Sequence, residues 1–246
     1  MLRERFYDEM KKVLDKIEKT QGETIDKCAK VIGDSLVNNG ICHILDTGHM
    51  LMYEGVGRTG GMMAIRPIRI NFEVNNPARK RLIPGKENVY YDSIEGFPEF
   101  ILGKANVAKG DVLIIGSVSG YNNMPVQLAL KAREMGVKTI GITSVAYSSK
   151  IKAKHKSGKR LFEACDYVLD NCGIFGDAMV EVEELGKKIG PSSGIAASYL
   201  MWALQTTVVE YLISIGKEPS VYISNHLNNA SAINGSAWEN YEKFGY

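Results

Sequence analysis

The segment with the clearest chemical meaning is Gly116-Ser117-Val118-Ser119-Gly120-Tyr121-Asn122-Asn123. It follows the apolar run Val112-Leu113-Ile114-Ile115 and precedes a stretch with helical periodicity from Met124 to Met135. A strand that turns into a helix brings unpaired N–H groups and the positive end of the helix dipole to the turn, and an anion binds there. Ser117 and Ser119 add hydroxyl donors, and Gly120 lets the backbone approach a ligand closely. The same residue types also suit a turn that merely caps its helix. Position at the carboxyl end of a strand favours phosphate binding by Ser117, Ser119, Gly120 and Asn122. The loop has neither the lysine of GxxxxGK[ST] nor the spacing of GxGxxG, which argues against a nucleoside triphosphate loop and a dinucleotide fingerprint.

The elements that must position this loop can be read from periodicity. Apolar residues at Phe6, Met10, Val13, Leu14 and Ile17 predict a helix over 1–19, and a second helix fits 23–37, stopping at Asn38-Asn39-Gly40. The run Ile41 to Leu45 reads as a buried strand closed by the turn Asp46-Thr47-Gly48. A helix is expected over 50–60 and a strand over 64–70. Residues 71–96 carry two prolines, little periodicity and Arg79-Lys80-Arg81, and read as a loop or lid. Pro98 suits the first turn of a short helix. Strands follow at 112–116, 138–143 and 167–169, with helices at 124–135, 178–188 and 194–215. Continuous apolar strands alternating with helices imply a parallel sheet covered on both faces, in one domain spanning 1–246 with an N-terminal helical segment over 1–40.

Thirty basic residues against 28 acidic ones give a formal charge of +2, which argues against nucleic acid or an anionic membrane as the main partner. The four cysteines lack CxxC spacing, and the histidines lack HxH or HExxH spacing, so no metal and no cofactor is expected. The charged amphipathic start of the chain is unlike a signal peptide, and no stretch approaches the roughly 20 apolar residues of a membrane span. The expected location is the cytoplasm.

Asp111 to Gly120, with Ala132, Gly136 and Ile140-Gly141-Ile142-Thr143 behind it, resembles the sugar isomerase (SIS) domain over about residues 25–215. The chain is more similar to one branch of that family, related to phosphoheptose isomerases and amino-sugar phosphate etherases, whose helix start reads SGxNxxP. Gly120, Asn122 and Pro125 fit that pattern, and His155 to Lys159, Asp170-Asn171 and Gly176-Asp177-Ala178 match the branch as well. The resemblance implies an α/β/α three-layer sandwich with a five-stranded parallel, flavodoxin-like sheet. It also implies a phosphorylated sugar or amino sugar as ligand and a homo-oligomer, dimer or tetramer. Asp46-Thr47-Gly48-His49-Met50 resembles the family's GTGHS loop; Thr47, Gly48 and His49 carry over, while Asp46 and Met50 depart. Asn228 and Ser231 stand where the branch carries acidic residues, so a lost or altered reaction is expected.

A sugar-phosphate isomerase needs a base to move a proton between adjacent carbons. His49 lies at a strand's carboxyl end, Glu54 opens the expected helix after it, and the resemblance implies a catalytic group near His226. For each, an exposed residue without a role is the plainer alternative. His43, inside a strand, reads as a core histidine, and His155 sits in a lysine-rich run that ordinarily faces solvent. Asp46 and Thr47 are further candidate substrate contacts. Asp177, Ser192 and Ser193 suit either helix capping or sugar hydroxyls. Two function classes follow: an isomerase or related lyase acting on a sugar phosphate, or a non-catalytic phosphosugar sensor. Met201, Trp202, Leu204, Val208 and Tyr211 spread around the 194–215 helix, an argument for burial on all sides and for an oligomer.

Overall fold

The computed structural model describes residues 1–71, 73 and 94–246. Its centre is β3 (Val112–Gly116), whose first four side chains are fully buried. Val112 and Ile114 face one apolar cluster, and Leu113 and Ile115 face the other. Burial of both faces explains why the strand reads as a continuous apolar run. Each such side chain contributes about 1.5–3 kcal/mol over exposure.

Around β3 run β1 (Cys42–Asp46), β2 (Ile65–Pro67), β4 (Lys138–Thr143) and β5 (Tyr167–Asp170), all parallel, in the order β2-β1-β3-β4-β5. One face is covered by α1 (Leu2–Val37) and, later in the chain, α6 (Ser193–Ser214). The other carries α2 (Phe97–Lys104), α3 (Asn123–Glu134) and the short α5 (Leu161–Ala164); α4 (Val145–Ser148) is a single turn after β4. This is the expected three-layer α/β/α sandwich with its five-stranded flavodoxin-like sheet. Among the described residues, no helix is long and apolar enough to cross a membrane. Of the segment 71–96 read as a lid, residues 72 and 74–93 lie outside the described residues.

Four readings of the chain need correction. The two N-terminal helices are one, because the stripe Ile17, Gln21, Ile25, Ala29 and Ile32 continues through Gly22. Gln21 is buried, and its Oε1 accepts from the Asp170 N–H at 2.9 Å, so tertiary contact offsets the roughly 1 kcal/mol cost of a helical glycine. Residues 50–60 form turns, not a helix. Gly55, Gly57 and Gly60 disfavour helix there, and the buried Gln205 of α6 instead bonds the Met62 N–H and the Gly55 carbonyl, both at 3.0 Å. The helix expected at 178–188 is a hairpin of β6 (Ala178–Val182) and β7 (Lys187–Pro191), for which Val180, Val182 and the left-handed Gly186 were the strand and turn signals. A C-terminal helix, α7 (Ala230–Phe244), was missed; Trp238 and Tyr241 on it pack at 5.4 and 5.6 Å from the Arg66 guanidinium.

The all-round burial argued for the 194–215 helix holds only in part. Leu200, Met201, Leu204, Val208 and Leu212 are buried within the chain, while Ile195, Tyr199 and Ile213 stay 47%, 38% and 60% exposed.

Candidate functional site

Strand register brings the chemistry to one rim. Asp46 lies opposite Gly116, Gly116 opposite Ile142, and Thr143 opposite Asp170, so the loops after β1, β3, β4 and β5 leave the sheet side by side. The β1 connection runs to β2 on one side and the β3 connection to β4 on the other. The crevice between them is therefore the topological switch point of the sheet, where such folds bind ligands.

In the loop after β3, three carbonyls are spoken for. Val118 O accepts from Ser144 N (2.9 Å) and Thr143 Oγ1 (3.0 Å), Gly120 O from Leu161 N (2.8 Å), and Tyr121 O from Lys154 N (3.3 Å). The donors are not. Ser117 N continues the ladder to Ile142 O, but the N–H groups of Ser119, Gly120 and Asn122 and the hydroxyls of Ser117 and Ser119 have no partner among the described residues. α3 then opens with Asn122 as N-cap, and that side chain makes no capping hydrogen bond. The first-turn N–H groups of Asn123 and Met124 have no partner inside a helix. Three carbonyls engaged by the scaffold and a row of donors left without a partner among the described residues suit an anion-binding cradle.

Gly120 is fixed by space and by conformation. Its φ is +57°, and a Cβ there would stand 3.0 Å from both Leu161 Cβ and Thr143 Oγ1 and 3.4 Å from Ser148 Oγ. Ser148 Oγ, fully buried, is the one buried side-chain oxygen without a hydrogen bond among the described residues.

The loop after β1 is tied down by Asp46. Its Oδ1 accepts from Gly48 N at 2.8 Å and its Oδ2 from Leu51 N at 2.7 Å. Both oxygens thus stabilise the turn, which is how this chain makes the loop with Asp at a position where the resembling pattern has Gly. Thr47 straps the turn to β3 by donating from N and Oγ1 to Gly116 O, each at 3.1 Å. Met50 is buried, and the buried Asn171 directs Nδ2 to its sulfur at 3.9 Å.

Asp177, Ser192 and Ser193 form one network. The Asp177 carboxylate accepts from Ser192 N (3.0 Å), Ser193 N (2.8 Å), Ser192 Oγ (3.1 Å) and Ser193 Oγ (2.8 Å), capping the start of α6. It joins the rim through Gly173, where a Cβ would meet Asn171 Oδ1 and Ser192 Oγ.

Beside the first turn lies a cavity of about 430 Å³, lined among others by Asp46, Thr47, Gly48, Tyr53, Arg69 and Met124. Met124 belongs to the first turn of α3, so the cavity adjoins the cradle. Tyr53 and Arg69 escaped the sequence reading. The signal was Arg69's place just past the end of β2, at the same rim.

The three candidate acid/base residues share no hydrogen bond or ion pair with one another among the described residues. His49 is exposed and makes no hydrogen bond among the described residues; Glu54 is exposed and pairs with Arg58 at 3.4 Å. His226 is exposed, and its backbone N–H donates to Ser224 Oγ at 3.4 Å. His43 is a buried core residue bonded to Asp111 at 3.1 Å, and burial lowers its pKa from 6.5. Burial and the Lys156 charge lower that of His155, whose Nδ1 accepts from Ser157 N at 3.1 Å.

Comparison with known proteins places the chain. A UPF0309 protein of Halalkalibacterium halodurans is 32% identical over 235 residues, covering 95% of each chain. One from Listeria monocytogenes is 31% identical, covering 93% of this chain and 92% of the relative. A solved phosphoheptose isomerase from Neisseria gonorrhoeae overlays 87% of this chain and all of its own at a TM-score of 0.46 and 15% identity, a likeness too slight to carry weight. The SIS domain family model matches residues 5–144, which include both the turn after β1 and the cradle after β3. More than half of the chain is matched, and it belongs to the SIS domain family.

Proposed function

We propose that this chain binds a phosphorylated sugar, with the phosphate on the Ser117–Asn123 loop and the start of α3 and the sugar in the switch-point cavity. The observation that carries this reading is the split in the loop: the Val118, Gly120 and Tyr121 carbonyls are committed to the scaffold, while the N–H groups of Ser119, Gly120 and Asn122 and the two serine hydroxyls have no partner among the described residues. A phosphate dianion supplies the acceptors those donors lack, beside a positive helix terminus. Gly48, Thr47 and Arg69 at the cavity are within the sugar's half of the site. Amino sugar phosphates belong to the same ligand class.

As an enzyme, the protein would be a sugar-phosphate isomerase or a related lyase, with His49, Glu54 or His226 moving the proton. A non-catalytic phosphosugar sensor is the second reading, and one observation favours it. All three of those groups face solvent, and the Asp46 and Asp177 carboxylates are engaged by backbone N–H groups.

Thermal-shift screening of hexose, heptose and amino-sugar phosphates against their unphosphorylated parents tests binding, since a ligand of the native state raises apparent stability by mass action. Stabilisation by phosphorylated members alone is expected; equal shifts with the parent sugars, or none at all, would remove the proposal. A coupled isomerase assay on the stabilising sugars then separates the two readings.

A further inference from the structure

The connection from α4 to α5, residues 149–160, is a basic strap laid against the cradle. It contains Lys150, Lys152, Lys154, Lys156, Lys159 and Arg160 and no carboxylate. Two main-chain hydrogen bonds dock it and the residue after it onto the loop: Lys154 N to Tyr121 O at 3.3 Å and Leu161 N to Gly120 O at 2.8 Å.

A run of lysines is ordinarily a solvated face, but this one is held in shape. His155 is buried, and its Nδ1 takes the Ser157 N–H. Arg160 closes the base of the strap. Its Nη1 donates to Ser148 O and Ser149 O, both at 3.1 Å, while Nε and Nη2 grip Glu163 at 2.9 and 2.8 Å. Lys150 lies over the Phe175 ring at 5.6 Å.

That leaves Lys152, Lys156 and Lys159. All three are exposed, and none forms an ion pair among the described residues. Glu163, the carboxylate that feels Lys159, is already bound by Arg160. Where strap and cradle meet, Ser148 Oγ lies beneath Gly120 with no hydrogen bond among the described residues. One phosphate already matches the free N–H groups and the two serines. The docked strap carries three further exposed cations, more charge than a monophosphate needs.

We infer that the strap is a second anion subsite, and that the ligand is a phosphosugar bearing another anionic group, a second phosphate or a carboxylate, recognised by Lys152, Lys156 and Lys159. This rests on the phosphosugar reading above.

Calorimetric titration at constant ionic strength tests it, with fructose 6-phosphate, fructose 1,6-bisphosphate and 6-phosphogluconate as probes. The wild-type protein should bind at least one doubly anionic probe about tenfold tighter than fructose 6-phosphate, as one hydrogen bond between charged groups provides. The bisphosphate and the phosphogluconate distinguish a second phosphate from a carboxylate. A Lys152→Gln/Lys156→Gln/Lys159→Gln variant should lose that preference and keep its affinity for fructose 6-phosphate. The same charge change at Lys11, Lys19 and Lys187, exposed elsewhere, should leave the preference intact. Equal wild-type affinity for singly and doubly anionic probes overturns the subsite, as does a strap variant that weakens all probes alike. Failure of every probe overturns the subsite, and if none of the hexose, heptose and amino-sugar phosphates above stabilises the protein either, the phosphosugar reading falls with it.

Discussion

Replacing Gly120 by alanine probes the cradle at its tightest point. Two effects add. A residue with a Cβ at φ +57° costs about 1–2 kcal/mol relative to glycine. The new methyl would also stand 3.0 Å from Leu161 Cβ and Thr143 Oγ1, and overpacking of this kind costs about 1–3 kcal/mol. Leu161 and Thr143 are both buried and hold the loop, Leu161 through its N–H to Gly120 O and Thr143 through its hydroxyl to Val118 O. Relief must therefore come from moving the loop itself. The total is about 2–5 kcal/mol, or about 4–20 °C in melting temperature at 2–4 °C per kcal/mol for a chain of this size. Gly186 supplies the control: its φ is +56°, and nothing lies within 4 Å of where its Cβ would be. Gly186→Ala should incur only the conformational part. Urea unfolding and calorimetric titration with a stabilising sugar phosphate should show Gly120→Ala as the less stable variant and the one that loses affinity. If the two alanine variants are equally stable, or if Gly120→Ala binds like wild type, the close approach at the cradle is refuted.

Other consequences can be measured independently. Ser119→Ala should weaken phosphosugar binding by about 1.5–3 kcal/mol, the worth of a hydrogen bond to a charged group, while leaving stability nearly unchanged because its hydroxyl has no partner among the described residues; undiminished affinity would exclude Ser119 from the phosphate site. Asp46→Gly removes two acceptors from the turn after β1, so stability should fall while the pH dependence of ligand affinity stays that of wild type; a shifted pH profile would place the carboxylate on the substrate instead. His43 and His155 both have pKa values lowered by burial from 6.5, so the unfolded chain binds more protons than the native one around and below that pH. Their contribution is present above about 6.5 and is lost as the pH falls, and a urea midpoint that stays flat from pH 7.5 to 5.5 would contradict it. Ile195, Tyr199 and Ile213 leave an exposed apolar stripe on α6, for which a dimer or tetramer is expected by light scattering at micromolar concentration, and a monomer mass would dismiss the oligomer.

Much of this was legible in the chain because one physical pattern dominates it. Val112 to Ile115 is apolar on every residue since both sheet faces are buried, and the Ser/Gly loop that follows has little freedom to be anything but a strand-to-helix turn. What escaped the reading depended on contacts distant in sequence. Gln21 bonds a backbone N–H 149 residues away, and that contact helps a helix run through Gly22. Gln205 supplies hydrogen bonds to the glycine-rich turns after β1, which local periodicity alone suggests as helix. The hairpin of β6 and β7 was hidden by Glu183, Glu184, Lys187 and Lys188, whose helical propensity outweighed the β-branched Val180 and Val182 in a local reading. At the site, residue types were legible but not their commitments. Asp46 read as a candidate ligand contact and Asp177 as either a helix cap or a ligand contact, and the folded chain shows the oxygens of both taken by backbone N–H groups.

The most direct test of the central claim is an experimental structure of the protein with a stabilising sugar phosphate bound. The phosphate should lie at the start of α3, accepting hydrogen bonds from Ser119 Oγ and from the loop N–H groups of Ser119, Gly120 or Asn122, with the sugar extending toward Thr47 and Arg69. A phosphate held elsewhere, for example on Arg69 with the Ser117–Asn123 loop empty, would contradict the account.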